Sequence, residues 1–94
     1  MRELVELKGC TLPIYMYIKE GITYYEFDSR ECEPPVPMAN ALRVLELVND
    51  ENKRMVMVNM QEPTGLYTKI EDYFLWSITP LQNSDVSVEF QRKF

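Results

Sequence analysis

The side chains that could do covalent chemistry in this chain are few. Two cysteines, Cys10 and Cys32, are its only thiols, and there is no histidine. Without an imidazole there is no Ser-His-Asp triad, no Cys-His pair and no histidine general base, and zinc sites with imidazole ligands are excluded as well. Cys32 is the sharpest catalytic candidate. It sits just before a proline-opened helix, whose N-terminus favours a thiolate, while the flanking Glu31 and Glu33 oppose one. The bland reading is a loop cysteine with no role. Cys10 has only Lys8 as a nearby cation in sequence, which argues against a redox or carrier role. The carboxylates do not suggest a hydrolase, which needs two acids in a shared pocket with split pKa values. Runs such as Asp50-Glu51 and Glu71-Asp72 read as solvated surface. Asp28 and Arg30 are spaced to pair with each other or to cap backbone. Arg30 and the helix starts expected at Val36 and Gly65 could hold a small anion, although Pro35 and Pro37 remove two donors and Glu31, Glu33 and Glu62 repel one.

These residues need a scaffold. The chain has 94 residues, so it is one domain at most. It is 46% hydrophobic with fifteen acids against ten bases, a net charge of −5. That balance argues against nucleic-acid binding and against an anionic lipid surface. No apolar run approaches a membrane span, and the start lacks the pattern of a signal peptide. A cytoplasmic protein with free thiols is the expectation.

Residues 14–18 and 22–27 are rich in aromatic and β-branched types and predict a hairpin around Glu20-Gly21. A two-residue turn places Ile14, Met16, Ile18, Thr23, Tyr25 and Phe27 on one face, the better core candidate. Tyr15, Tyr17, Ile22 and Tyr24 share the other. A three-residue turn that includes Lys19 would shift this pairing. Pro34, Pro35 and Pro37 stop the strand and open a helix with Met38, Ala41, Leu42, Leu45 and Val48 on its apolar side, and Asn40, Arg43 and Glu46 on the other. Arg54–Met60 reads as a central strand. A second helix follows Glu62-Pro63, with Thr64 as its N-cap and Leu66, Ile70, Tyr73 and Phe74 as its stripe. Ser77–Leu81 reads as an edge strand, Asn83-Ser84-Asp85 as a turn, and Val86, Val88 and Phe90 as the inward side of a last strand. The order is β-β-α-β-α-β-β, an α+β two-layer sandwich with both helices on one face of a mixed four- to five-stranded sheet.

The run Asp28-Ser29-Arg30-Glu31-Cys32-Glu33-Pro34-Pro35-Val36-Pro37 resembles the opening of the TusA/SirA-like sulfur-carrier superfamily, Asp-x-Arg-Gly-x-x-Cys-Pro-x-Pro. Asp28, Arg30, Pro35 and Pro37 fall on the family's Asp, Arg and two prolines. The sulfur-carrying cysteine falls on Pro34 and the glycine on Glu31. The chain is closer to an uncharacterised branch, a domain of unknown function with Pro-Pro-x-Pro, which also shares Glu62-Pro63-Thr64-Gly65-Leu66-Tyr67 and Val88-Glu89-Phe90-Gln91-Arg92. The resemblance implies strand order 1-2-4-3 over a core of residues 22–93. Residues 1–21 are then an extension that adds the hairpin strand at the edge.

Proline carries no sulfur, so the expected function is non-catalytic: a small binding or accessory domain without a cofactor or metal. Its open sheet face would self-associate or dock a protein partner. With Val56, Val58 and Met60 assigned inward, that face holds Tyr15, Tyr17, Tyr24, Met55 and Met57. Alternatively Leu4, Val5 and Leu7 fold across it as a lid. The competing functional readings are a sulfur carrier using Cys32 as a displaced persulfide site, and a sensor of a small anion at the helix N-termini.

Overall fold

A computed structural model describes residues 1–93. The strands are β1 (Glu3–Val5), β2 (Ile14–Lys19), β3 (Ile22–Asp28), β4 (Lys53–Asn59), β5 (Phe74–Pro80) and β6 (Val86–Arg92). The helices are α1 (Val36–Leu45) and α2 (Thr64–Ile70). One mixed sheet runs in the order β1-β2-β3-β4-β6-β5, with β3 and β4 parallel and every other pair antiparallel. Both helices pack on one face, so the architecture is the expected α+β sandwich. The order β3-β4-β6-β5 is the expected 1-2-4-3. The sheet has six strands rather than five, because part of the leader pairs as β1.

The hairpin takes the two-residue turn. Met16 faces Tyr25, Ile18 faces Thr23 and Lys19 faces Ile22. Glu20 and Gly21 both have positive φ, +52° and +81°, the conformation that a tight hairpin turn requires.

β4 corrects the face assignment. Its parallel register sets Met55 beside Tyr25 and Met57 beside Phe27. Met55 and Met57 therefore point at the helices and are fully buried, at 0% exposure each. Val56 and Val58 take the open face, and Met60 lies beyond the strand, exposed. A run apolar on both sides has no periodicity from which to read its facing. Only the neighbouring strand decides it.

The leader is not a lid. Leu4 pairs with Tyr15 along the β1–β2 ladder and stays exposed. Val5, Leu7, Cys10 and Leu12 pack against the main core instead. Asn40 holds them there. Helical spacing places it on the polar side of α1, yet it is 1% exposed. Its Oδ1 accepts from the Thr11 and Leu12 amides at 2.8 and 3.1 Å, and its Nδ2 donates to Thr11 Oγ1 at 3.0 Å and to the Val36 carbonyl at 2.9 Å. All four hydrogen-bonding positions of the amide are used, which is what makes its burial tolerable.

Two boundaries also move. α2 ends at Ile70, leaving Tyr73 exposed, and Phe74 opens β5 as a core residue. Thr64 is the first helical residue rather than the cap, and Pro63 precedes it without a side-chain cap bond. The core joins Ile14, Phe27, Val44, Val48, Leu66, Val88 and Phe90 between sheet and helices. Tyr67 of α2 stacks on Trp76 of β5 with centroids 4.3 Å apart.

Candidate functional site

The sheet face opposite the helices is uncovered. Its centre is built by the β2–β3 register, which sets Tyr17 directly across from Tyr24. The rings stack with centroids 5.1 Å apart and planes 13° from parallel. Arg2 closes the other side, its guanidinium carbon 5.1 Å from the Tyr17 centroid. Glu26 ties the group together. Its carboxylate accepts the Tyr17 hydroxyl at 2.9 Å and the Arg2 guanidinium at 3.2 Å. Burial and this carboxylate push the Tyr17 phenol up to about 12.

One step along, Tyr15 and Val56 flank Glu26 in neighbouring strands. Val56 is 9% exposed although no helix covers it. Neighbouring side chains hide it from water. Arg54 faces Tyr24 and lies 3.9 Å from Glu89 on β6. The result is an aromatic and apolar strip with charge pairs at its sides. Of the residues expected to form this surface, Tyr15, Tyr17 and Tyr24 are there, and Met55 and Met57 are not. Arg2, Glu26 and Val56 belong to it and were missed. Strict alternation from Tyr24 reaches Glu26, so that one was readable. Arg2 was not, because no local pattern places a strand at residues 3–5.

At one end of the sheet lies an open cleft of about 800 Å³, lined by Leu12, Tyr15, Asp28, Arg30, Cys32 and Asp85 among others. Asp28 and Arg30 pair as expected, with a forked contact that reaches 2.7 Å. Arg30 also lies 3.6 Å from Asp85. The Arg30 hydrogen bonds hold the Asp28 carboxyl below the usual carboxylate range. Cys32 is half-buried in a turn closed by its own N–H donating to the Ser29 carbonyl at 3.1 Å. Glu31 also lines the cleft, so Asp28, Glu31 and Asp85 all share it with the thiol. Cys10 is elsewhere. Its Sγ lies 3.9 Å from the Asn40 carbonyl, and burial pushes its thiol pKa up.

Arg30 does not meet the helix starts. Those border a second groove of about 250 Å³, where Pro34, Pro35, Pro37, Met38 and Gly65 form much of the wall. Glu62 is its one charged lining residue among those described. The grouping imagined for a small anion is therefore split between two clefts. Beneath this groove, Ser29 and Asn59 form a buried polar pair at 2.9 Å that joins the ends of β3 and β4. No helix among the described residues is long and apolar enough to cross a membrane. In comparisons with known proteins, the chain matches no protein-family model, no curated protein and no solved structure.

Proposed function

We propose that this chain is a small non-catalytic binding domain of TusA-like type that works through its uncovered sheet face, docking protein there, with a second copy of itself as the occupant. The observation that carries the reading is the Tyr17–Tyr24 stack beside Tyr15 and the closely shielded Val56. Aromatic and apolar side chains with polar flanks are what protein interfaces enrich. Charge supports self-docking. The face and its end cleft carry Arg2, Arg30 and Arg54 against Glu26, Asp28, Glu31, Asp85 and Glu89, a smaller excess of acid than the −5 of the whole chain, and the arginines are already paired with four of these carboxylates. Two copies docking there bring few unpaired charges together, and a two-fold contact lets each arginine reach a carboxylate of the partner.

Sedimentation across a range of concentrations tests this. Tyr17→Lys should halve the mass of the assembly while the domain still unfolds in one cooperative transition. A chain that stays monomeric when concentrated, or an assembly indifferent to Tyr17→Lys, would overturn the reading.

The alternative is a sulfur carrier that uses Cys32. Its support is the position of the thiol in a cleft beside Arg30. A persulfide is anionic, however, and three carboxylates line that cleft while Asp28 and Asp85 already engage the arginine.

A further inference from the structure

β5 ends the sheet, and its outer side pairs with nothing among the described residues. Exposed edges invite pairing with another chain, and folded proteins guard them with charges, bulges, prolines or short length. The opposite edge, β1, is guarded: it is three residues long and carries Glu3. β5 is seven residues long, and its register with β6 runs one to one from Phe74–Arg92 to Pro80–Val86 without a bulge. It carries no charge. In a chain that is 27% charged, no charged residue occurs from Tyr73 to Ser84, the longest such run in the sequence. Only Pro80, at the far end, acts as a guard.

The backbone phase of this edge follows from the bonds at either end of the ladder. Lys93 N–H donates to the Tyr73 carbonyl and Leu81 N–H to the Asp85 carbonyl. Odd-numbered residues of β5 therefore direct their amides to β6. Phe74, Trp76 and Ile78 direct theirs outward. Pro80 shares that outward phase, where it has no donor to lose.

We propose that this edge pairs antiparallel with the same edge of a second copy, centred on Trp76. A two-fold axis through Trp76 sets Trp76 against Trp76 and Phe74 against Ile78. Every outward N–H of these three residues then meets a carbonyl, and every carbonyl an N–H. An uncharged edge is where two chains of net charge −5 can approach most closely. The flanking side chains are apolar and in water: Tyr73, Leu75 and Ile78 are 60%, 48% and 39% exposed. Association would bury them. The axis stands perpendicular to the sheet, so both copies keep their helices on one side and their uncovered faces on the other. The product is a continuous sheet of two six-stranded halves with a doubled docking face. Leu75 and Ser77 share the uncovered side of the sheet with Glu89, but the contact uses none of Arg2, Tyr15, Tyr17, Tyr24, Glu26 or Val56, so a change at Tyr17 separates the two.

Amide exchange on the full chain, read residue by residue at low and high concentration, tests the pairing. Phe74, Trp76 and Ile78 should exchange more slowly when the chain is concentrated. Leu75, Ser77 and Thr79, already bonded to β6, should not change. Ile78→Pro deletes an outward donor without touching the β6 ladder. Ser77→Lys places like charges near the axis from an exposed position. Both should abolish the slowing and the edge-linked mass in sedimentation, whereas Tyr17→Lys should leave the slowing intact. Equal exchange of those three amides at all concentrations in the parent chain would overturn the proposal, as would slowing that survives Ser77→Lys.

Discussion

Asn40 and Thr11 stand 29 residues apart and exchange hydrogen bonds in both directions, the Thr11 amide giving to Oδ1 at 2.8 Å and Nδ2 giving to the Thr11 hydroxyl at 3.0 Å. Through this contact the leader is bound to α1, which in turn places Leu12 in the cleft beside Arg30 and holds β1, with Arg2, at the sheet edge.

Asn40→Leu keeps the volume and removes the bonding. The Thr11 and Leu12 amides lose their acceptor, which should cost about 2 kcal/mol in chemical denaturation. The leader should also loosen, so that limited proteolysis cuts near residues 8–12 before the rest of the domain. A variant as stable and as resistant as the parent would show that the leader is held some other way.

The facing of β4 can be checked by truncation. Met57→Ala empties a fully buried site and should cost about 2–5 kcal/mol. Tyr15→Ala, on the open face, should cost below about 1 kcal/mol. The reverse ranking would restore the outward reading of the methionines.

Two tyrosines link stability to alkaline pH. Burial and Glu26 push Tyr17 up to about 12, and burial and Glu62 do the same for Tyr67. An unfolded tyrosine ionises near pH 10. Below about pH 10 both phenols are protonated in either state, and their contribution is fully present. Above it the unfolded chain releases these protons first, so stability falls as pH rises toward 12. Denaturant midpoints measured across that window should fall less steeply in a Tyr17→Phe, Tyr67→Phe double variant, which has neither proton to lose. Parallel curves for the two proteins would contradict the linkage.

A persulfide donor separates docking from sulfur carriage. Intact mass after incubation should show no stable adduct on Cys32. An increase of about 32 Da, one sulfur atom, that disappears in Cys32→Ser would favour the carrier. Cys10, raised by burial, should also alkylate slowly near neutral pH.

Several elements could be read before any coordinates. Alternating residue types and a turn suited to positive φ determine the β2–β3 hairpin, and the two-residue turn, one of the two lengths open to it, sets which tyrosines lie opposite the core. Prolines that can open a helix but not continue one determine where α1 begins. The Val86, Val88, Phe90 alternation determines the facing of β6. Each of these signals is local, set by neighbours a few residues away. Tertiary structure alone decided the rest. Met55–Val58 is apolar on both sides, so its facing came from the partner strands. Asn40 looks like a surface residue in its helix and is buried because a distant loop supplies its partners. Phe74 continues the helical spacing of α2 yet begins an edge strand, because pairing with Arg92 in β6 outweighs one further helical turn. Composition along a segment cannot encode which other segment will lie against it, and each of these outcomes depends on that.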